Sequence, residues 1–184
     1  MHEVFDWMYS IVVALFLAMA IHIFLFVPTR VSGQSMYPTL NHGEYLIVSK
    51  IGHVMRSVPE YGDIVIIDSR TRRPRSWADD LTEPLKNYIA IFDKSSQGHH
   101  VWVKRIIGKG GDVLEFKGGH VVRNGSILDE PYINEPMAFS MDGSYTVPEG
   151  TVFVMGDNRN HSSDSRFIGS VPIDHVLGRV VLEL

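Results

Sequence analysis

The chain has 184 residues, of which 45% are apolar and 21% are charged, and its formal net charge at neutral pH is −4. This length and composition suit one folded domain with an added segment. The acidic balance and the lack of a basic stretch interleaved with aromatic residues argue against nucleic acid as a partner. The absence of cysteine excludes disulfides, zinc–thiolate sites and thiol nucleophiles.

The first element is an apolar run near the N-terminus. Seventeen residues from Ile11 to Val27 contain a single polar side chain, His22, and Trp7 and Tyr9 precede them. At 1.5 Å per residue, this run reaches the lower end of membrane-spanning length. A cleavable signal peptide is the alternative, but the preceding residues lack Lys and Arg and no small-residue cleavage site follows. We expect a short N-terminal segment (1–10), an uncleaved transmembrane anchor (11–27) and one folded domain (28–184).

After the apolar run, short β-branched stretches alternate with Gly, Pro, Asn and Asp, which predicts a mostly β domain. Asn124-Gly125 suits the two-residue turn of a hairpin. Two parts look helical, a single turn within Tyr37–Asn41 and the segment Trp77–Ile91. The predicted strands are Glu44–Ser49, Asp63–Asp68, His100–Ile107, Val113–Phe116, His120–Arg123, Thr151–Met155 and His175–Glu183.

A basic segment, Ser69–Pro74, follows the second predicted strand. It is either a solvated loop or a patch that contacts anionic lipid headgroups.

Ser35 is the first candidate for chemistry, in a segment that begins at Gly33 and turns at Pro38. Gly33 allows a close backbone approach or a positive φ, and Pro38 fixes the turn after the serine. A serine hydroxyl is a weak nucleophile and needs a base within hydrogen-bond reach. A purely structural serine in a turn is the alternative.

Lys104 is the candidate base, because it lies inside an apolar β-pattern next to Arg105. Alternation along a strand places the two side chains on opposite faces, so one of them is directed toward a core or cleft. A buried lysine loses hydration, and a fall of its pKa from about 10.4 to about 8 requires roughly 3 kcal/mol of differential desolvation. Arg105 stays protonated and cannot be a base. The alternative is a lysine that extends to solvent from a strand edge.

A dense polar segment, 156–166, follows the predicted strand that ends at Met155. Asp164 and Arg166 can pair and shape this loop. Ser162 can hydrogen-bond to the Lys104 amine and orient it.

The sequence also bears on two other kinds of site. A Ser-His-Asp triad would use His161 with Asp157 or Asp164. A metal site is not expected, because the nine histidines include no His-x-x-x-His pair and the adjacent His99 and His100 point to opposite strand faces.

Four segments, in this order behind an apolar N-terminal run, resemble the type I signal peptidases, the bacterial leader peptidases with a Ser/Lys dyad. Together they extend over nearly the whole chain. They are Ser-Met-Tyr-Pro-Thr-Leu (35–40), Tyr-Gly-Asp-Ile-Val (61–65), Val-Lys-Arg-Ile-Ile-Gly (103–108) with Gly111-Asp112, and the segment 156–166.

The resemblance implies an antiparallel β-sheet catalytic domain on the extracytoplasmic side of the cell membrane, behind one transmembrane helix. It implies a monomer without cofactor that removes signal peptides from secretory preproteins after small residues at −1 and −3, next to membrane lipids. Ser35 would be the nucleophile, Lys104 the base and Ser162 the hydroxyl that positions the lysine. Further residues would support the site: Arg105, Asp164 and Arg166.

Other positions bear on this resemblance. Gly33 occupies the place where some family members carry a serine that completes the oxyanion hole, and losing that donor costs about 3 kcal/mol in the transition state. Met36 and other apolar side chains near Ser35 are expected to meet the lipid face. The single anchor resembles the short form usual in Gram-positive bacteria, whereas residues 69–99 form a longer insertion than that form carries.

Two further function classes remain as alternatives. A self-cleaving Ser/Lys protease of the repressor type shares the dyad chemistry, but the apolar run 11–27 argues against it. An anchored β-rich interaction module with an inactive site requires the Ser35 and Lys104 side chains to lie more than roughly 5 Å apart.

Overall fold

A computed structural model describes residues 2–75, 79 and 100–183, and for 2–4 and 18–24 it describes the backbone alone. The first element is the helix α1 (His2–Phe24). It ends before the apolar run of the sequence does, since Phe26 and Val27 already pair with the strand that ends at Ser49. Judged on the described residues, no helix is long and apolar enough to cross a membrane.

Strands dominate the described chain after α1, and every described pairing between them is antiparallel. The mostly β, antiparallel fold is therefore confirmed, and the seven predicted strands are present with ends within two residues of those expected. In chain order the strands are β1 (Phe26–Arg30), β2 (Tyr45–Ser49), β3 (Ile64–Asp68), β4 (Val101–Lys109), β5 (Val113–Lys117), β6 (His120–Arg123), β7 (Ser126–Ile127), β8 (Met141–Thr146), β9 (Thr151–Met155), β10 (Val171–Pro172) and β11 (Val176–Glu183).

The larger sheet has seven strands in the order β1-β2-β11-β3-β4-β9-β10. Its two edge strands each contain a proline, Pro28 in β1 and Pro172 in β10. Proline lacks the N–H that a central strand needs for its ladder, so these residues fit edge positions. The strand that directly follows the N-terminal helix can therefore contain a proline, because it lies at the edge of the sheet.

Strand β4 contributes buried residues to two hydrophobic clusters. Its first half, Val101–Arg105, pairs with β3, whereas β9 becomes its neighbour only from Arg105 onward. A register shift between Ile106 and Gly108 marks a bulge at Ile107. A bulge changes the alternation of side chains, and accordingly Ile106 and Ile107 are both buried, each in a different hydrophobic cluster.

A smaller sheet, in the order β7-β6-β5-β8, packs beside the larger one. Phe116 of β5 and Phe153 of β9 belong to one buried cluster, with ring centroids 5.6 Å apart. The predicted hairpin turn is confirmed, because Asn124 and Gly125 both have positive φ, 52° and 81°, between the paired strands β6 and β7.

Four described strands are absent from the sequence prediction. The apolar run conceals β1, the strand β8 is rich in polar residues and glycine, and β7 and β10 have only two residues each. The short helices α2 (Ile51–Val54) and α3 (Ser165–Ile168) were missed as well.

The two predicted helical parts have different outcomes. The segment Tyr37–Asn41 forms turns, with one helix-like hydrogen bond from Leu40 N to Met36 O at 2.9 Å. The prediction for Trp77–Ile91 lies outside the described residues except at Asp79.

Three features lie at one end of the larger sheet: helix α1, helix α2 and the basic segment that follows β3. Strand β1 runs away from α1, and the antiparallel order β1-β2-β11-β3 makes β2 and β3 run back toward it. Helix α2 after β2 and the basic residues 69–75 after β3 therefore lie at the end from which α1 leaves. Lys50 N donates to Leu25 O at 2.9 Å, which ties α2 directly to the α1–β1 junction.

Candidate active site

Ser35 lies in the loop that leaves the edge strand β1. Met36 and Leu40, with exposed fractions of 2% and 0%, pack into the core beside Val31 and so fix the loop on both sides of the serine. Gly33 has a φ of 97°, a backbone conformation that favours glycine. The expectation that Met36 meets the lipid face is therefore wrong, because its side chain points into the protein.

Lys104 reaches Ser35 from β4. Its Nζ donates to Ser35 Oγ at 2.8 Å and to Val103 O at 2.9 Å, and the residue is 3% exposed. Of the two neighbouring side chains on β4, Lys104 is therefore the one on the face directed toward Ser35. The 2.8 Å distance contradicts the condition for an inactive interaction module, which required more than roughly 5 Å.

The environment of Lys104 disfavours its charged form. Burial lowers the pKa of Lys104 from 10.5 to about 8, although the carboxylates of Asp164 and Asp157 partly oppose this effect. The positive charge of Arg166 acts in the same direction as burial. A neutral amine is thus accessible near neutral pH.

Arg105 points to the opposite side of β4 from Lys104, as strand alternation predicts. Its guanidinium binds Asp157 through two hydrogen bonds of 2.8 Å and 2.6 Å, and it also donates to Gly62 O at 2.8 Å. Thr39 Oγ1 donates to the same carboxylate at 2.6 Å. Asp157 is fully buried, so this arrangement pairs its charge and joins β4, the Ser35 loop and the segment 156–166.

Asp164 and Arg166 form the predicted pair within the polar segment. Arg166 Nε and Nη2 both donate to the Asp164 carboxylate at 2.8 Å, and Gly156 N donates to it at 3.0 Å. Asp164 also caps the N-terminus of α3 by accepting from Arg166 N. The pair therefore fixes the loop beside Ser35.

Ser162 lies close to the Ser35 backbone without binding Lys104. A Cβ added to Gly156 would collide with both Ser162 Oγ and Ser35 O, which shows how closely these groups approach. Ser162 Oγ donates to Ser163 O at 3.5 Å, and among the described hydrogen bonds none joins Ser162 to Lys104. The direct bond considered from the sequence is not formed in this structure.

The geometry gives no support to a triad based on His161. Within the described part of the chain, its hydrogen bond is made by the backbone N–H to Asn158 O, and its ring has no carboxylate partner. The carboxylates of Asp157 and Asp164 are instead bound by Arg105 and Arg166. Among the described residues, no group of three or more His, Asp or Glu side chains is placed to hold a metal ion.

A cleft of about 220 Å³ opens at the Ser35 hydroxyl. One wall is formed by residues 29–33, which end β1 and lead to the serine, and the other wall is formed by Val101–Lys104 of β4. This half of β4 has no β9 neighbour. The cleft therefore lies between the end of β1 with the residues that follow it and the first half of β4, and Ser35 contributes to its lining.

Comparison with known proteins decides the family. The chain matches the family described as "Signal peptidase, peptidase S26" over residues 4–184. It belongs to the signal peptidase family. Family membership makes the chain a serine peptidase, a hydrolase, and so confirms the resemblance found in the four sequence segments.

Individual members of the signal peptidase family show how far the similarity extends. Signal peptidase I T of Bacillus subtilis is 37% identical, with 94% of this chain and 81% of that protein covered. Thylakoidal processing peptidase 1 of Arabidopsis thaliana is 34% identical over 84% of this chain, which spans only 40% of that protein. A crystal structure of a signal peptidase I from Enterococcus faecalis V583 is 26% identical, covers 68% of this chain and 98% of its own, and has a TM-score of 0.45.

Residues that the sequence did not single out surround this signal peptidase site. Arg159 and Glu130 form a buried ion pair with two hydrogen bonds of 2.9 Å and 2.6 Å. Tyr132 donates to Glu130 at 2.9 Å, and its ring lies 4.0 Å from the Arg105 guanidinium. Burial raises the pKa of Tyr132, so its hydroxyl remains a donor. The sequence offers only the Glu-Pro-Tyr segment as an indication of these residues. The ion pair itself cannot be predicted from the sequence, because its partners are 29 residues apart.

We expect Glu130→Gln to lower the free energy of unfolding by about 3 kcal/mol, because it leaves a buried guanidinium without its counter-charge. Equilibrium denaturation with urea measures this change. Glu115→Gln is the matched control, since the ion pair of Glu115 with Lys117 is largely exposed and should contribute less than about 1 kcal/mol. Equal effects of the two substitutions would contradict a stabilising role for the buried pair.

Proposed function

We propose that this chain is a membrane-bound serine endopeptidase that removes signal peptides from secreted preproteins, with Ser35 as nucleophile and Lys104 as general base. The observation that carries the proposal is the 2.8 Å contact of a buried, low-pKa lysine with a serine hydroxyl in the lining of a cleft. The family supplies the substrate, because its described members include signal peptidases of bacteria.

The proposed reaction begins when neutral Lys104 accepts the proton of Ser35 Oγ as that oxygen attacks the scissile carbonyl carbon. The lysine then returns the proton to the leaving amine, and the C–N bond breaks. Water, activated by the same amine, attacks the ester and releases the acyl group from Ser35. Three residues support this reaction by holding the surrounding loops: Arg105, Asp164 and Arg166. Their described hydrogen bonds reach neither Ser35 Oγ nor Lys104 Nζ.

The substrate is proposed to bind as an extended segment in the cleft between residues 29–33 and Val101–Lys104. A peptide in this position can add a strand to the half of β4 that lacks a β9 neighbour. Side chains at −1 and −3 of an extended peptide point the same way. A cleft of only about 220 Å³, lined also by the buried residues Met36 and Ile66, favours small residues at those two positions.

Cleavage of a purified preprotein tests this function. We expect the protein to cut a preprotein that has Ala at −1 and −3, and to cut the same preprotein poorly when Trp replaces either residue. The products are identified by mass spectrometry. Cleavage at unrelated sites, or equal cleavage of both preproteins, would show that the chain is a peptidase of another specificity.

The pH dependence provides a separate prediction. The base must be neutral, so kcat/KM should rise as the pH increases through about 8, the lowered pKa of Lys104, and should level off above it. Initial rates with a peptide substrate between about pH 6 and 10 measure this profile. A rate that is constant over that range, or that falls with increasing pH, would exclude the lysine as base.

Membrane anchoring and an extracytoplasmic catalytic domain, acting as a monomer, are also proposed. Supporting features are the apolar run 11–27 and the placement of α2 at the end of the larger sheet from which α1 leaves. Three apolar side chains there are exposed, Ile51, Val54 and Met55, and the exposed arginines Arg72 and Arg73 lie at the same end. Lipid headgroups are the partner that matches this combination.

We expect deletion of residues 1–24 to release the protein from membranes while peptide cleavage persists, because α1 supplies location rather than chemistry. Alkaline extraction of membranes followed by a peptide assay measures both properties. Deletion of residues 1–27 is the comparison, and it should also lower stability, since it removes Phe26 and Val27 from β1. Release of the full-length chain by alkaline extraction would contradict the anchor.

A further inference from the structure

Asn158 holds both peptide groups that flank the proposed nucleophile. Its side-chain Nδ2 donates to Gln34 O at 3.1 Å, and its backbone N–H donates to Ser35 O at 3.0 Å. Asn158 is almost completely buried, and it comes from the segment 156–166, more than a hundred residues away in sequence.

The bond to Gln34 O determines the direction of the Ser35 N–H. In a trans peptide the N–H points away from the carbonyl oxygen of the same group, and the described cis bond in this region is Tyr37–Pro38, not Gln34–Ser35. Gln34 O, held by Asn158 and by Tyr37 N at 3.1 Å, therefore fixes the amide plane that carries the Ser35 N–H. This N–H has no acceptor among the described residues, so it is available to a ligand.

The chemistry of Gly33 makes this N–H more important. An oxyanion hole needs donors that are already aimed at the developing negative charge. Gly33 has no side-chain hydroxyl, and its own N–H is occupied by His42 Nδ1 at 3.1 Å. The Ser35 N–H thus carries a larger share of the stabilisation than it would beside a second donor.

Hydrogen bonds to a carbonyl also strengthen the N–H of the same amide. Two donors on Gln34 O polarise the Gln34–Ser35 peptide group, and polarised groups in a hydrogen-bonded chain reinforce one another. Asn158 therefore has two effects on one donor, since it fixes the direction of the N–H and increases its partial positive charge.

We propose that Asn158 is a positioning residue for the oxyanion donor, acting through Gln34 O on the Ser35 N–H. The inference rests on the proposed function, in which Ser35 attacks a peptide carbonyl. Asn158 itself touches neither substrate nor the reacting atoms. Its effect is confined to the transition state, because a ground-state carbonyl carries little of the charge that the donor stabilises.

Kinetics of Asn158→Asp in the full-length protein test the proposal. The substitution keeps the shape of the side chain but places a carboxylate, which cannot donate, against Gln34 O. Direct removal of an oxyanion donor lowers kcat by about 10²- to 10³-fold. Misdirecting a donor that remains in place should lower kcat by about tenfold with KM unchanged, when both enzymes are compared on the alkaline plateau where Lys104 is neutral.

Asn160→Asp is the matched control. Asn160 lies in the same segment, and its Nδ2 donates to Glu135 Oε1 and Pro136 O, away from the Ser35 loop. We expect near wild-type kcat for this variant. Equal losses in both variants, or an Asn158→Asp enzyme with wild-type kcat, would overturn the proposal. If Asn158→Asp fails to fold, Asn158→Ala provides the same comparison, since it keeps the backbone N–H and removes the side-chain donor.

Inhibitor binding distinguishes positioning from a general structural role. A peptide aldehyde that forms a hemiacetal with Ser35 resembles the tetrahedral intermediate, whereas the same peptide with a reduced, uncleavable bond resembles the ground state. Asn158→Asp should weaken binding of the aldehyde about tenfold and leave binding of the reduced peptide unchanged. Parallel losses for both ligands would indicate a structural role and contradict the proposal.

The wild-type protein allows a test that does not depend on any variant. Of its two glutamines, Gln34 is followed by serine and Gln97 by glycine. Labelling glutamine with carbonyl ¹³C and serine with ¹⁵N therefore gives a single correlated amide signal, that of Ser35. We expect this proton signal to move downfield when the aldehyde binds. An unchanged signal would show that the Ser35 N–H is not the oxyanion donor. Loss of cleavage in Ser35→Ala would still stand as separate evidence for the nucleophile.

Discussion

Replacing Lys104 with arginine is expected to lower peptide cleavage by about 10³-fold or more, although the positive charge is kept. A guanidinium remains protonated at any usable pH and cannot accept the proton of the serine hydroxyl. The wild-type amine can, because burial lowers its pKa to about 8. The measurement is kcat/KM with a signal-peptide substrate, together with a thermal unfolding curve that confirms a folded variant.

Two companion variants make this result specific. Lys104→His should retain a trace of activity, since imidazole is a competent base but its shorter side chain cannot span the same 2.8 Å contact with Ser35 Oγ. His161→Ala should cleave normally, because its ring makes no described hydrogen bond or ion pair with a carboxylate or with Ser35. Loss of activity in folded His161→Ala with normal activity in Lys104→Arg would reverse the assignment.

Ser35→Ala should abolish detectable cleavage, a fall of roughly 10⁴-fold or more, while the fold is preserved. The substitution removes one oxygen from the lining of a cleft. The neighbouring core contacts of Met36 and Leu40 are retained, so stability should change by less than about 1 kcal/mol. The measurement is product formation followed over long incubation, with urea denaturation as the control for folding.

If Ser35→Ala cleaves at the wild-type rate, Ser35 is not the nucleophile and another residue must be. Ser162 would then be the first residue to test, because its hydroxyl lies against Gly156 and Ser35 O, and Ser165 would be the second. Ser165 is the weaker candidate, since its Oγ is buried and accepts from Val154 N at 3.0 Å.

The sequence predicted the strands well where apolar residues recur between turn residues. It also predicted the candidate pair, since a lysine inside a β-branched pattern next to an arginine is unusual. Alternation alone could not decide which of Lys104 and Arg105 is buried against Ser35. That choice depends on Asp157, whose carboxylate lies on the arginine side and comes from a distant loop.

The residues that escaped prediction share a physical reason. Asn158 and Glu130 act through hydrogen bonds to positions more than twenty-five residues away, and such bonds exist only after the loops are folded. The start of β1 was missed because its apolar residues continue the run that precedes them. In contrast, the capping role of Asp164 could have been found, since an aspartate shortly before a helical segment is a common N-cap.

The alternation of Lys104 and Arg105 on β4 also restricts how this chain can change over generations. Gain or loss of one codon between Val101 and Lys104 would turn every later side chain in the strand to the other face. Loss of a codon would bring the guanidinium to the serine, whereas gain of a codon would bring the amine to the carboxylate of Asp157. Such a shift would weaken the packing of the strand, and it would abolish peptide cleavage. We therefore expect length variation among functional descendants to be absent from this half of β4 and to accumulate in the surface connections.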